Sequence, residues 1–279
     1  MISVVICSRT NFISESLQNN IQETIGEEHE LIIIDNSLNN YSIFEAYNLG
    51  IRKSKGQYIC FMHDDIGLKT SNWGAIINRI FQENSKIGLI GIAGSKIKTK
   101  MPSAWWDCAD ENLCMNIIQH FSTGKKEHWV KGFKEKRLEK VAAIDGVFMV
   151  ARKVNTICFN ENLKGFHNYD LNFSFEYLKS GYNVVVTKDI LLEHFSIGVL
   201  NKSWYESTLE LHKVYKNLLP LNFSNNLTLK DQEFKNGEKF LINAFKHNIK
   251  RPLFMIWFKL ILIKPLTKFH LRFLKTIIQ

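Results

Sequence analysis

Two adjacent carboxylates at the end of an apolar segment are the residues of this sequence with the clearest chemical use. Asp64 and Asp65 follow His63 directly after the apolar residues 58–62. Neighbouring carboxylates repel each other, and removing them from water costs free energy unless a cation offsets their charge. Hard oxygen ligands suit Mg²⁺ or Mn²⁺. The segment therefore predicts a divalent-metal site, and the alternative is a solvated turn in which Asp65 caps the next element.

Three further residues could take part in chemistry. Asp35 follows the apolar residues 31–34, where it could accept a hydrogen bond from a nucleobase or ribose, or form an Asx turn that leaves the strand. Asp170 precedes a helical pattern, so it is either an N-cap or a general base beside a reacting hydroxyl. His194 ends another apolar segment, and a lone histidine is more often structural unless a second metal ligand is near.

Apolar segments alternate with helical patterns over the first ninety residues, which indicates how the acidic residues are positioned. The patterns predict strands at 4–7, 31–34, 58–62 and 87–92, and helices at 13–25, 42–54 and 73–81. Continuous apolar strands separated by helices are typical of a mostly parallel α/β sheet with helices on both faces. Such sheets bind ligands at the carboxyl ends of their strands, which here are followed by Ser8-Arg9, by Asp35 and by His63-Asp64-Asp65.

The rest of the chain is less regular. Residues 95–140 are polar and poorly periodic, and predict a long excursion with local helix. Beyond it the patterns predict regular structure at 141–152, a helix at 170–180, strands at 184–187 and 190–194, and a helix to residue 218. The spacing of Ser203 and Glu206 is that of a capping box at the start of this last helix. Residues 222–238 are polar and asparagine-rich, which is typical of a linker.

Composition narrows the class of protein. The chain has 279 residues, 45% of them hydrophobic, and a formal net charge of +9. Its five cysteines are odd in number and favour free thiols in a reducing compartment. We expect no secretory signal, and no transmembrane helix, because no uncharged apolar stretch reaches about 18 residues. The positive charge is concentrated at 125–140 and in the last thirty residues, which indicates a membrane surface and not nucleic acid as the partner.

The last residues predict a basic amphipathic helix that begins near Pro265. One helical stripe is basic, and the opposite side is largely apolar: Lys264, Lys268, Arg272 and Lys275 against Leu266, Phe269, Phe273, Leu274 and Ile277. The apolar residues 253–263 precede it, interrupted by Lys259. Basic amphipathic helices with Trp and Phe lie in the membrane interface. The alternatives are a helix packed on the catalytic domain and a helix that binds a protein partner.

The order of these motifs resembles the family 2 glycosyltransferases with a GT-A fold, in the branch with a His-x-Asp version of the DxD motif. The resemblance covers about residues 1–218, and its motifs are Ser8-Arg9, Asp35-Asn36-Ser37, Asn48-x-Gly50, His63-Asp64-Asp65, Asp145-Gly146 and Tyr169-Asp170. Two positions depart from the family pattern: His63 replaces the first Asp of DxD, and Tyr169 replaces the Glu of a Glu-Asp pair. No Gln-x-x-Arg-Trp motif is present, which argues against a processive synthase.

The resemblance implies a role for each matching residue. Asp35 would hold the nucleobase, usually uracil, and Ser8 and Arg9 would line the same pocket. Asp65 would bind the metal with Asp64 beside it, and His194 would complete the metal site. Asp170 would be the catalytic base, while Asp145 and Gly146 would lie near the sugar and acceptor. Trp105 and Trp106 could stack on a sugar ring, or form a buried aromatic pair.

We therefore expect residues 1–220 to form a GT-A catalytic domain and residues 221–279 a linker and membrane-associating tail. The expected activity is that of an inverting, non-processive, Mn²⁺- or Mg²⁺-dependent hexosyltransferase on the cytoplasmic face of the cell membrane. It would move a sugar from a nucleotide-sugar donor, a UDP-sugar, to a lipid-linked or surface glycan in bacterial polysaccharide or lipopolysaccharide assembly. One alternative is a nucleotidyltransferase, whose phosphate loop would need glycine that residues 7–10 lack. The other is a non-catalytic nucleotide- or glycan-binding protein of the same fold.

Overall fold

The structure is a computed structural model that describes residues 1–224, 229–249 and 253–278, with only the backbone described for 276–278. The strands in this part of the chain are β1 (Ile2–Ser8), β2 (His29–Asp35), β3 (Tyr58–Met62), β4 (Ile66–Leu68), β5 (Ile87–Gly91), β6 (Ala93–Ser95), β7 (Ile97–Lys98), β8 (Leu113–His120), β9 (Lys126–Lys131), β10 (Leu138–Lys140), β11 (Ala143–Ile144), β12 (Phe148–Arg152), β13 (Asn183–Thr187), β14 (Leu192–His194) and β15 (Leu221–Asn222). The α-helices are α1 (Glu15–Thr24), α2 (Ile43–Lys53), α3 (Trp73–Glu83), α4 (Tyr169–Lys179), α5 (Lys202–Val214), α6 (Lys230–Lys246), α7 (Leu253–Ile263) and α8 (Lys268–Ile278).

A seven-stranded sheet forms the centre of the molecule, in the order β10-β13-β5-β12-β3-β1-β2. Strand β1 runs parallel to β2 and β3, and β5 runs parallel to β13. Strand β12 lies antiparallel between β3 and β5, so those two neighbours share one direction, and β10 is antiparallel to β13. Only β10 and β12 thus oppose the other strands, which confirms the predicted α/β fold with a mostly parallel sheet.

Helices cover both faces of this sheet, so successive residues of a strand point into two different apolar cores. Along β3, Ile59 and Phe61 belong to one apolar cluster and Cys60 and Met62 to another. Residues of α2 and α4 pack in the first cluster, and residues of α1 and α3 in the second. A strand that is apolar at every position therefore buries both of its sides, as the continuous apolar segments predicted.

A second sheet has the order β11-β6-β8-β14-β4, with β9 paired to β8. The predicted excursion with local helix over 95–140 is wrong, because this segment supplies β7, β8, β9 and β10 and only one short 3₁₀ turn, Asp110–Asn112. Strand β8 alternates between buried and half-buried residues towards its end, whereas every second residue of β9 is exposed. The polar outer face of this hairpin conceals its strand pattern in the sequence.

Helix starts agree with the sequence at one site and differ at two. The capping box of Ser42 and Glu45 is present, with both reciprocal hydrogen bonds. The predicted box of Ser203 and Glu206 is wrong, because α5 begins at Lys202 and the side chain of Asn201 accepts from the Trp204 backbone N–H at 3.1 Å. Asp170 is not the cap of its helix either, because α4 begins one residue earlier, after Asn168.

The C-terminal helices pack onto the rest of the chain through an apolar cluster that we call the tail cluster. Its catalytic-domain members are Met101, Ala104, Trp204 and Tyr205, and its tail members are Phe234, Phe240, Leu241, Ala244, Ile249, Leu253, Ile256, Leu260, Phe269 and Phe273. The linker predicted at 222–238 is wrong from residue 230, where α6 begins. In the described part of the chain, the helices are too short or too polar to cross a membrane.

The tail cluster also corrects the predicted apolar stripe of the last helix. Phe269 and Phe273 are buried inside the cluster, whereas Leu266 and Leu274 are exposed. The side chain of Ile277 lies outside the described residues. Two of the predicted membrane-facing residues therefore pack inward instead, since their rings contact those of Phe234 and Phe245.

Two neighbouring residues of α6 test whether the tail is integral to the fold. Leu241 is fully buried in the tail cluster, and Ile242 is 39% exposed. Leu241→Ala should lower the free energy of unfolding by about 2–5 kcal/mol, because it leaves a cavity in a packed core. Ile242→Ala, the matched control, should change it by less than about 0.5 kcal/mol. Denaturant titration followed by tryptophan fluorescence measures both, and equal values for the two variants would contradict the packing of the tail on the catalytic domain.

Candidate metal and ligand site

The pairing of β14 with β4 brings His194 to the segment between β3 and β4. In this antiparallel pair His194 lies opposite Ile66. The backbone N–H of Phe195 donates to the carbonyl of Asp65 at 3.0 Å, which continues the pairing beyond the strand ends. Residues that are far apart in the sequence therefore meet at the carboxyl end of β3.

Three side chains converge there with one ligand atom each. Nδ1 of His63 lies 3.6 Å from Oδ1 of Asp65, and Nε2 of His194 lies 3.7 Å from the same oxygen. One ligand atom from each of the three residues lies within 4.8 Å of the others. The structure thus brings together the two predicted metal ligands, Asp65 and His194, and adds His63 to them. Two imidazoles and one carboxylate are a donor set for a divalent transition-metal ion.

The state of His194 fits this use. Its Nδ1 lies 3.0 Å from Oε1 of Gln119, an atom that can only accept, so Nδ1 carries the proton. Its Nε2 is buried and has no hydrogen-bond partner among the described residues. Burial is the main cause that lowers the pKa of His194, and His63 lowers it further, which favours the neutral ring. Burial would lower the pKa of His63 as well, but Asp65, Asp145 and Asp64 outweigh burial there and raise it. A buried lone pair without a partner is costly, and a bound cation would satisfy it.

Asp65 keeps its negative charge. Burial alone would raise its pKa, but the interactions of its carboxylate with the side chains of His63, Ser196 and His194 outweigh burial and hold the pKa well below its usual range. The site therefore presents one anionic oxygen and the neutral Nε2 of His194 side by side. The residues present fit a divalent cation.

The residues predicted to line a nucleotide pocket lie at the same edge of the sheet. The register of β1 with β2 sets Ser8 opposite Asp35. Oγ of Ser8 donates to Oδ2 of Asp64 at 3.2 Å, so the ends of β1 and β3 are joined as well. Arg9 is exposed. Asp35 is also exposed, and its Oδ1 accepts from the backbone N–H of Ser37 at 2.9 Å, so the Asx-turn alternative is present.

Asp170 lies half-buried in the first turn of α4, where its Oδ1 accepts from the Leu171 backbone N–H at 2.8 Å. Burial is the main cause that raises its pKa, and the charge of Asp145 raises it further, to about 7. The hydrogen bond from Leu171 and the charge of His63 oppose the shift. A carboxyl group with this pKa can accept a proton near neutral pH, which is the requirement for a general base.

The residues predicted near the sugar and acceptor divide into fixed and accessible ones. Asp145 accepts from the Val147 backbone N–H at 2.8 Å and from Nε1 of Trp105 at 3.0 Å, so both carboxylate oxygens are bonded within the fold. Trp105 is buried, as the aromatic-pair alternative required, and Trp106 packs edge-on against it while remaining 39% exposed. Gly146 lies against Tyr169. Of the two tryptophans, Trp106 alone offers an open surface to a ligand.

Sequence reasoning missed two residues that touch the ligand histidines. Oη of Tyr169 lies 2.6 Å from Nε2 of His63, and Gln119 bonds His194. Gln119 belongs to β8, inside the segment whose pattern is concealed, and no sequence signal identifies it. The only sequence feature that singled out Tyr169 was its replacement of the Glu in the Glu-Asp pair of the family pattern.

Comparison with protein families gives a match over most of the chain. The model of a family described as "Glycosyltransferase like family" matches residues 3–217. The crystal structure of GalNAc-T7 with UDP, GalNAc and Mn²⁺ aligns with a TM-score of 0.50 at 13% identity, over 90% of this chain. The aligned region spans only 58% of the GalNAc-T7 chain. At this identity the likeness concerns the fold alone.

Two other matches support no conclusion about function. S. aureus TarS (1–349), solved with UDP-GlcNAc, aligns with a TM-score of 0.49 at 14% identity over 93% of this chain and 79% of that one. Phosphoribosyl-AMP cyclohydrolase of Methanococcus vannielii is 29% identical over 123 residues, which is 39% of this chain and 88% of that protein. A match to so small a share of the chain assigns it no function.

Metal binding can be tested on the purified protein. Mn²⁺, alone or with UDP, should raise the midpoint of thermal unfolding, because the ion binds the folded site and not the unfolded chain; the gain is about 2.7 kcal/mol at 100 times the dissociation constant. His194→Ala should abolish the shift. His128→Ala, a control at an exposed histidine of β9, should retain it. A wild-type midpoint that Mn²⁺ leaves unchanged in both conditions would contradict a metal site here.

Proposed function

We propose that this chain, which belongs to the glycosyltransferase-like family and has the GT-A fold, transfers a sugar from a nucleotide-sugar donor to an acceptor hydroxyl. The transfer would invert the configuration of the anomeric carbon. One observation carries the proposal. Ser8 and Asp35, the His63–Asp65–His194 cluster and the half-buried Asp170 meet at one edge of the sheet. Together they supply the three contacts that such a transfer needs: to the nucleotide, to its diphosphate and to the acceptor.

The nucleotide would lie against the ends of β1 and β2. Asp35 is exposed at the end of β2, where its carboxylate would accept from the base or ribose. Ser8 and Arg9 would line the same pocket. We take UDP as the nucleotide because GalNAc-T7, whose fold is similar, was solved with UDP.

The diphosphate would be bound through a divalent cation held by His63, Asp65 and His194. Two imidazole ligands favour Mn²⁺ over Mg²⁺, because Mg²⁺ prefers oxygen ligands. GalNAc-T7 was solved with Mn²⁺, which agrees with this choice. The bound cation would stabilise the negative charge that develops on the diphosphate as the bond to the sugar breaks.

Asp170 would act as the base. It would take the proton of the acceptor hydroxyl while the hydroxyl oxygen attacks the anomeric carbon, and the electrons of the broken bond would leave with the diphosphate. A single displacement of this kind inverts the anomeric carbon and needs no protein nucleophile. Asp145 is less suited to this role because both of its oxygens are bonded. Its charge would instead help to keep the pKa of Asp170 near 7.

The experiment is hydrolysis of a panel of UDP-sugars with Mn²⁺ present. The rate should rise with pH through about 7, because Asp170 works as the carboxylate and is protonated below its pKa. Asp170→Asn should lose about 10²-fold or more of the rate, the usual scale for removal of a general base. UDP affinity, measured by calorimetry, should be unchanged in this variant because the base acts on the acceptor.

Asp110→Asn serves as control, since Asp110 is an exposed residue that pairs with Lys131. Each negative result points to a different part of the proposal. No hydrolysis of any UDP-sugar would favour the non-catalytic binding protein. An intact rate in Asp170→Asn would remove Asp170 as the base, and equal UDP affinity with and without EDTA would remove the cation.

The acceptor in this proposal is a lipid-linked or surface glycan of a bacterium, reached from the cytoplasmic face of the cell membrane. Support comes from the outer face of α7, which consists of Phe254, Met255, Phe258 and Leu262, each between 53% and 69% exposed. The opposite side of α7 is buried in the tail cluster. Lys259, Lys268 and Lys275 are exposed on α7 and α8. The five cysteines are unpaired, which agrees with a reducing compartment.

An apolar face flanked by cations fits an anionic bilayer better than a protein partner. Apolar side chains would enter the interface, and each nearby Lys would contribute about 1 kcal/mol of attraction to an anionic leaflet. The basic stripe differs from the predicted one at Lys264, which pairs with Asp231 and lies over the ring of Phe234. The apolar residues proposed to enter the membrane also differ from the predicted ones. They are those on the outer face of α7, because Phe269 and Phe273 are buried.

Vesicle co-sedimentation tests this surface. The double variant Phe254→Ser/Phe258→Ser should bind vesicles that contain phosphatidylserine at least about 10-fold more weakly, since two aromatic side chains no longer enter the interface. Val130→Ser, a control at a similarly exposed residue of β9, should bind like wild type. Added salt should weaken wild-type binding without abolishing it, because the apolar part is not screened. Wild-type protein that stays in the supernatant at low salt would refute membrane binding, and a concentration-dependent dimer in its place would assign the face to a second copy.

A further inference from the structure

The hydrogen bond between His63 and Tyr169 determines which nitrogen of His63 faces the proposed cation. Nε2 of His63 lies 2.6 Å from Oη of Tyr169, whereas Nδ1 lies 3.6 Å from Oδ1 of Asp65. An imidazole that binds a cation must be neutral, so His63 would carry one proton in the cation-bound protein. If Nε2–H donates to Oη, the lone pair of Nδ1 points to the atoms of Asp65 and His194 that would bind the cation.

Tyr169 is held where it can do this. Its ring is buried and packs edge-on against Tyr47 at 5.5 Å. A tyrosine hydroxyl can accept a hydrogen bond as well as donate one. The residue is also the first of α4 and precedes Asp170, so the same helical turn carries both side chains.

Gly146 leaves the space that the hydroxyl occupies. A Cβ atom at this position would lie 2.3 Å from Oη and 2.5 Å from Cζ of Tyr169, closer than any side chain tolerates. The backbone N–H of His63 donates to the carbonyl of Val147, next to this glycine. The segment that contains Gly146 therefore contacts both Tyr169 and His63, and these two residues contact each other.

The second histidine of the cluster is arranged in the same manner. Gln119 accepts from Nδ1 of His194 and leaves Nε2 without a partner. In both cases a neutral side chain bonds the nitrogen that points away from Asp65. Such outer partners fix the tautomer and the orientation of a metal-binding imidazole.

We propose that Tyr169 is a positioning residue that holds His63 as a third ligand of the cation, and that Gly146 is required for its placement. This inference rests on the proposed function, since it assumes that the cluster binds a divalent ion. The expected effect of removing an outer partner of this kind is about 10–100-fold in metal affinity.

The experiment measures Mn²⁺ affinity by electron paramagnetic resonance, with and without UDP, on the full chain. Tyr169→Phe keeps the buried ring and should weaken Mn²⁺ binding about 10–100-fold. Tyr177→Phe is the matched control, because Tyr177 is a buried tyrosine of the same helix whose hydroxyl donates to the Arg152 carbonyl, and it should bind Mn²⁺ like wild type. Gly146→Ala should weaken Mn²⁺ binding as well, because it displaces the Tyr169 hydroxyl.

A double-mutant cycle separates positioning from general damage. In a His63→Ala background, Tyr169→Phe should have no further effect on Mn²⁺ affinity, since the residue acts through His63. Wild-type affinity in Tyr169→Phe, or equal losses in both backgrounds, would overturn the inference while the cation site stands. Absence of Mn²⁺ binding by the wild type would overturn both the inference and the metal part of the proposed function. A lower melting temperature in Tyr169→Phe with unchanged Mn²⁺ affinity would assign the hydroxyl to stability alone.

Discussion

The pairing of β14 with its two neighbours is the contact on which the candidate site depends. Opposite β4 it places His194 beside Asp65, and opposite β8 it sets His194 in register with Gln119. Side chains alternate along a strand, so a shift of one residue in this register would turn His194 to the other face of the sheet. The same three-residue strand therefore determines both the location of this ligand and the nitrogen that it presents.

The larger sheet determines the other half of the site by a separate route. Strands β1 and β3 bury their side chains on both faces, and β2 packs half-buried residues against the same two cores, so the cores fix their registers. Their carboxyl ends consequently fall at one level, where Ser8, Asp35 and the segment 63–65 follow. The polar side chains at this edge contribute little to either core. The fold can therefore be stabilised by the apolar strands while the edge retains repelling carboxylates, a cost that a functional site tolerates.

Features that depend on nearby residues were predictable from the sequence, and those that depend on distant contacts were not. The strands β1 to β3 and the capping box of Ser42 are each determined by a few consecutive residues. The hairpin of β8 and β9 has a polar outer face, so its alternation is weak, and its pairing with β14 joins segments far apart in the chain. Within the site, the pairing of Asp65 with His194 came from a family resemblance, and no local pattern could reveal that His63 meets Tyr169, 106 residues later. The inward orientation of Phe269 and Phe273 likewise depends on a cluster that the last helix cannot specify alone.

The two departures from the family pattern are the two side chains that bond each other, and their chemistry explains why they suit one another. An Asp at 63 and a Glu at 169 would add two negative charges to a site that already contains Asp64, Asp65, Asp145 and Asp170. Like charges at such distances raise the pKa of each carboxyl group, and Asp170 is already raised by burial and by Asp145. A neutral tyrosine beside Asp170 avoids a further increase in the pKa of Asp170. Such an increase would leave the base protonated at neutral pH. An imidazole at 63 can still bind a cation without that charge, but only if one nitrogen is directed at the ion. In the proposed arrangement the hydroxyl of Tyr169 meets both conditions at once, since it is uncharged next to Asp170 and would accept from the far nitrogen of His63.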